Sequence, residues 1–124
     1  VPYMRSAELY LIEAEAKARL NDAAGASQVL FDLGKTRDAS YVKSTKTGVA
    51  LINEILVQRR IELWGEGHRF LDLKRTNAAL NRNGTNAIAS VALLYDVAPG
   101  DVRWEFLIPR REINANPAIV QNPL

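Results

Sequence analysis

The polar residues able to do chemistry are concentrated in one run, from Gln58 to Arg75. It holds Glu62, Glu66, His68 and Asp72, interleaved with Arg59, Arg60, Arg69, Lys74 and Arg75. Glu62 and Glu66 are four apart and share one face wherever the chain is helical. Two carboxylates that close repel, and the one with the raised pKa is suited to general acid work. An enzyme built on Glu62, Glu66 and His68 is therefore one reading. The other is structural. Guanidinium groups supply more positive than negative charge within a turn or two, and an Arg–Glu network locking a bend between two helices imitates an active site without reacting. We adopt the structural reading for Arg59, Glu62, Glu66, Gly67, His68, Arg69 and Asp72, and expect no catalysis. His68 is the only histidine. Metal sites draw on more than one nitrogen or sulfur ligand, so His68 reads as an orienting hydrogen-bonding group after Gly67, and no metal or cofactor is expected. Neither a Gly-x-Ser-x-Gly turn nor a glycine-rich phosphate loop is present.

Two other groups are candidates for binding. Lys35, Arg37, Lys43 and Lys46 lie close together with Tyr41 among them. Cations interleaved with aromatics suit single-stranded nucleic acid, but one aromatic fits a solvated loop better, and no nucleic-acid partner is expected. Trp104, Tyr41 and Tyr95 are the aromatic candidates for ligand contact, since aromatic faces pack on the C–H faces of pyranose rings. Trp104 is the better candidate for an exposed platform, with core packing as the competing reading. Trp64 is expected in the core near the helix bend.

The elements that must position these groups are helices. Tyr3 to Leu20 contains no Gly or Pro and is rich in Ala, Glu, Leu and Lys/Arg. Met4, Ala7, Leu11, Ala14 and Ala18 fall on one face. Glu13–Lys17 and Glu15–Arg19 are i,i+4 pairs in the favourable order. Asn21-Asp22 supplies a turn and an N-cap for a second helix, Ala23 to Arg37 or Asp38, with Ala26, Val29, Leu30 and Leu33 inward. The alanines allow close antiparallel approach, as in a tetratricopeptide-type hairpin. A polar loop over 39–48 precedes a third helix, Val49 to Gly65, with Leu51, Ile52, Ile55, Leu56 and Leu63 inward. A short fourth helix runs from His68 to Thr76. Residues 77–102 read as loop, Trp104 to Ile108 as a short extended segment stopped by Pro109, and Arg110 to Asn114 as one helical turn. Asn116-Pro117 and Asn122-Pro123 mark an irregular tail. The fold class expected is all-α: a tetratricopeptide-like hairpin plus further helices, with long irregular loops and tail.

Composition fits one domain over residues 1–124. The chain is 48% hydrophobic and 24% charged, which supports a core and excludes disorder. No stretch approaches the roughly 18 apolar residues of a membrane span. The net charge of +2 is no nucleic-acid footprint. With no cysteine, disulfides and thiol chemistry are excluded. The Val1-Pro2 start points to a fragment or a processed product.

Three strings together resemble a known family. Arg5-x-Ala7-Glu8-x-Tyr10-Leu11-Ile12-x-Ala14-Glu15-Ala16 is similar to the opening helix of the carboxy-terminal region of SusD/RagB-type proteins. Gln58-Arg59-Arg60-x-Glu62-Leu63-x-x-Glu66-Gly67-His68-Arg69-Phe70-x-Asp72-Leu73-Lys74-Arg75 resembles the family's hallmark string. Ile108-Pro109-x-x-Glu112-Ile113-x-x-Asn116-Pro117, with Gln121-Asn122-Pro123, resembles its closing signature. The resemblance implies a surface-exposed, outer-membrane lipoprotein of the Bacteroidetes type that binds glycans or other nutrients. It implies a SusC-like TonB-dependent transporter as partner, with binding and delivery but no turnover. Family members are several times longer and carry a lipid-anchored Cys near the amino terminus. This chain lacks it, so it reads as the carboxy-terminal part, with membrane attachment only through an anchor outside it. Ligand contacts in the family lie largely in variable loops, so no binding residue carries over. Glu62, Gly67, His68, Arg69 and Asp72 carry over as structural residues. A helical module that binds a peptide or partner helix is the alternative. Removing one partner from a buried ion network leaves an unpaired charge, so Glu62→Ala or Arg69→Ala is expected to cost roughly 2–5 kcal/mol; melting like that of the wild type would show a superficial pair.

Overall fold

The computed structural model describes residues 5–88 and 90–122. The expected helical positions of Tyr3 and Met4, and Pro123 of the tail, lie outside them. The described elements are α1 (Ser6–Arg19), α2 (Ala23–Arg37), α3 (Gly48–Glu62), α4 (His68–Arg75), β1 (Leu80–Asn81), β2 (Asp96–Val97) and α5 (Arg110–Ala115), with a 3-10 turn at Val102–Trp104. The fold is all-α with one two-residue antiparallel ladder. The chain divides into two compact units, Val1–His68 and Arg69–Leu124. No described helix is long and apolar enough to cross a membrane.

The first unit is a three-helix assembly in which α1 packs against both α2 and α3. Ala7, Leu11, Ala14 and Ala18 line the buried side of α1, and Leu11 and Ala14 are fully inaccessible. Their small side chains let α2 present Ala26, Val29, Leu30 and Leu33 at close range, while α3 adds Leu51 and Ile55. The turn between α1 and α2 forms as the residue types dictate. Asn21 takes a left-handed backbone (φ 66), which Asn tolerates, and the Asp22 carboxylate accepts the Gly25 N–H at 2.8 Å. After α2 the chain doubles back so that the Tyr41 ring lies flat on Gly34. A β-carbon at Gly34 would come within 2.6 Å of that ring, so only glycine allows this approach.

The expected basic loop is present, but its cations are engaged. Lys43 donates to Gln28 at 2.7 Å, Lys46 pairs with Glu54 at 3.1 Å, and Lys35 sits 5.4 Å over the Phe31 ring. Arg37 reaches Glu62. Helix α3 ends at Glu62, three residues before the expected stop. Leu63 turns into the core, and Gly65 and Gly67 adopt φ 80 and 81, conformations that end a helix. This reverses the expectation for Trp64. Leu63 takes the inward position, and Trp64, on the following turn, is 84% exposed.

The second unit has its own small core of Leu73, Val97 and Trp104, with Phe70, Ala78 and Leu80 against it. Within 77–102, read as loop from the sequence, Leu80 pairs with Val97 and Asn81 with Asp96. The expected extended segment at Trp104 begins instead as a 3-10 turn. Asp101 caps it by accepting the Arg103 N–H at 2.9 Å, with the Arg103 guanidinium holding the Asp101 carboxyl down at about 2. The tail has a defined anchor. The Gln121 amide accepts from Ile108 N at 2.9 Å and donates to Ile108 O at 3.1 Å, and Asn122 donates to Phe106 O. One side chain thus satisfies both backbone groups of Ile108, as a neighbouring strand would.

Candidate functional site

The first part of the hallmark run places Arg59, Glu62 and Glu66 against residues far away in the sequence. At the centre of the first unit, Arg59 on α3 pairs with Glu8 on α1 at 3.1 Å, and their side chains are 8% and 11% exposed. His68 Nδ1 lies 3.6 Å from the same Glu8 oxygen, close enough for attraction when the imidazole is protonated. Toward the surface, Arg37 at the end of α2 grips Glu62 with both Nε and Nη2, at 3.1 and 2.7 Å. Arg5, just before α1, approaches Glu62 at 3.3 Å and Glu66 at 2.6 Å. The two carboxylates that could have formed an acid–base pair are therefore bridged by guanidinium groups. The Glu62 carboxyl is held below its ordinary value. Hydrogen bonds from Arg37 act first, desolvation opposes them, and attraction to Arg37 and Arg5 adds to the lowering. A carboxylate lowered in this way stays ionised and is a poor proton donor at neutral pH.

In the second unit, Asp72 is buried and accepts from Arg75 Nε at 2.8 Å. Arg69 is an exposed residue that is nonetheless engaged in an interaction of its own. No group of three or more His, Cys, Asp or Glu residues able to hold a metal occurs among the described residues.

The aromatic candidates separate. Trp104 is 7% exposed, its ring lies against Phe70 with centroids 5.6 Å apart, and its N–H is spent on Ala98 O at 2.7 Å. It is a core residue and offers no free face, which corrects its candidacy as a platform. Tyr95 is half-buried and donates to Ala87 O at 3.0 Å, an anchoring role inside the second unit. Tyr41 lines a cleft of about 240 Å³ between α2 and α3, together with Leu33, Arg37, Asp38, Gln58 and Glu62.

Sequence reasoning saw neither Glu8 nor Arg5 as part of the cluster, and placed Arg37 in a solvated patch. The signal for Glu8 was available. Glu8, Leu11 and Glu15 are spaced three and four apart, beside the Ala7–Ala14 stripe, so two acids share the edge of a buried face. Both are buried, at 8% and 5% exposure. No such signal marks Arg5 or Arg37, whose partner lies 57 or 25 residues away.

The model of the SusD family matches residues 1–124. The chain belongs to the SusD family. A SusD-like protein, P38, of Formosa agariphila is 35% identical over 88 residues, covering 64% of this chain and 18% of that protein. A solved structure from Bacteroides vulgatus, of a protein assigned to sugar binding, superposes with a TM-score of 0.82 at 27% identity. It covers 99% of this chain and 28% of its own. The chain thus spans 18% and 28% of the length of these relatives. All three strings that resembled the family fall inside the matched region, and the middle one carries the guanidinium–carboxylate cluster.

The lowered Glu62 carboxyl fixes a pH dependence. A depressed native pKa contributes stability that is complete above the unfolded value near 4.5 and is lost as pH falls through the lower native value. Urea midpoints measured from pH 6 downward should fall in the wild type, and fall less steeply in Glu62→Gln. An identical acid limb in the two proteins would mean that Arg37 and Arg5 do not hold this carboxylate.

Proposed function

We propose that this chain is the carboxy-terminal part of a nutrient-binding protein of the bacterial outer-membrane surface. In this reading the whole protein captures a glycan or related nutrient and delivers it to a SusC-like TonB-dependent transporter, without chemical turnover. The observation that carries the reading is the family match along all 124 residues. The sugar-binding assignment of the Bacteroides vulgatus neighbour supports glycan as the ligand class. The cluster geometry supports a framework role for the hallmark residues, because Glu62 and Glu66 face guanidinium groups.

One observation favours the alternative of a helical interaction module. Leu9 and Ile12 are 52% and 47% exposed and, with Ala16, form a stripe on α1 opposite its buried side, which Leu20, 80% exposed just past the helix end, continues. A helix apolar on two sides is made to be covered on both. In the nutrient-binding reading another part of a longer polypeptide covers this stripe; in the alternative, a separate partner helix does.

Native affinity electrophoresis of the full-length protein through gels containing individual polysaccharides tests the choice. Retardation by at least one neutral glycan, together with co-purification of the transporter from membranes, is the expected result. Free migration in every gel, with capture of a soluble helical partner lost in Leu9→Glu/Ile12→Glu, would replace the proposal with the alternative.

A further inference from the structure

The cleft between α2 and α3 has a chemistry that the ion cluster does not use up. Its apolar side is built from Leu30, Leu33 and Ile61. The Tyr41 ring stands against Gly34, and its hydroxyl is buried without a hydrogen-bond partner. Gln58 contributes an amide that makes no hydrogen bond among the described residues. Asp38 spends only Oδ1, on the Ser40 N–H and hydroxyl at 2.8 and 2.6 Å, so Oδ2 remains an acceptor. Arg37 gives Nε and Nη2 to Glu62, leaving Nη1 as a donor.

Charge decides between ligand classes. Arg37 and Arg5 against Asp38, Glu62 and Glu66 leave one surplus negative charge, which repels phosphate, sulfate or a uronic acid. The two-pronged grip of Arg37 on Glu62 places a cation where a metal ion would have to sit. What remains is a neutral molecule with an apolar face and several hydroxyls. Neutral amides, carboxylate lone pairs and outward guanidinium N–H groups recognise hydroxyls by hydrogen bonding. At about 240 Å³ the space is below the roughly 300–1,000 Å³ of sites for drug-sized ligands, so it suits a single ring.

We propose that this cleft is a subsite for one neutral sugar ring, its apolar face on Leu33 and Ile61 and its hydroxyls on Gln58, Asp38 and Arg37. The assignment rests on the nutrient-binding reading and adds a location to it. The closing experiment is an amide-resolved NMR titration of the 124-residue chain with glucose, galactose and mannose, with glucuronate as the charged comparison. At least one neutral hexose should shift the Gly34 and Asp38 amides and the Gln58 side-chain amide, and glucuronate should not. Gln58→Ala should weaken binding by about tenfold, the effect of losing one or two neutral hydrogen bonds, while leaving the rest of the spectrum in place. Hexose-dependent shifts centred elsewhere, or shifts that persist unchanged in Gln58→Ala, would overturn the cleft and leave the nutrient-binding reading standing. Absence of any shift while the full-length protein is retarded by a glycan would do the same. Absence of both would remove the two together.

Discussion

The first unit is organised around one buried ion pair, Glu8 on α1 with Arg59 on α3. Both side chains are largely withdrawn from water, at 8% and 11% exposure, so each offsets part of the hydration the other has lost. The pair links α1 to α3 within the alanine and leucine contacts around it. Apolar side chains tolerate sliding by a fraction of a turn, but a buried guanidinium does not tolerate losing its carboxylate. The pair sits beside Leu11, Leu51 and Ile55, side chains with almost no exposure. We infer that the pair specifies the arrangement of α1 on α3, beyond what the hydrophobic core requires.

From this pair the charges extend outward. Arg59 and Glu8 are buried, Glu62 is half-buried, and Arg37, Arg5 and Glu66 reach the surface. Arg5 precedes α1, Arg37 closes α2, and Glu62 closes α3, so three helix ends are joined at one carboxylate. Basic residues in the last turns of α2 and α3 also complement the negative ends of the helix dipoles. A carboxylate surrounded in this way is held ionised and in place. That suits a framework role for the hallmark residues.

The helices were legible in the sequence because their signals are local. Spacing of three and four, a cap at Asp22 and glycines at 65 and 67 are each readable within a few residues. Their ends were less so. The stop of α3 depends on Leu63 turning inward, and that exchange of roles also decides Trp64. From sequence either Leu63 or Trp64 could fill the core at the turn; leucine fills it and the indole faces solvent. Trp104 was open between core and platform, and the Ala98 carbonyl that receives its N–H decides for the core. The β1–β2 ladder is two residues per strand, too short to show alternation. The cluster was half legible. Its hallmark acids and arginines were evident, but Arg5 and Arg37 act across long stretches of chain, where spacing gives no guide.

The most direct measurement is a double-mutant cycle on Glu8 and Arg59, followed by urea denaturation. Glu8→Leu and Arg59→Met should each lower stability by about 3–5 kcal/mol, the cost of an uncompensated buried charge. The double variant should be more stable than the sum of the two losses implies, with a coupling of about 2–3 kcal/mol. Single variants within about 0.5 kcal/mol of wild type, the range of ordinary surface changes, or losses that simply add, would show that α1 and α3 are held by their apolar contacts and that the ion pair is incidental.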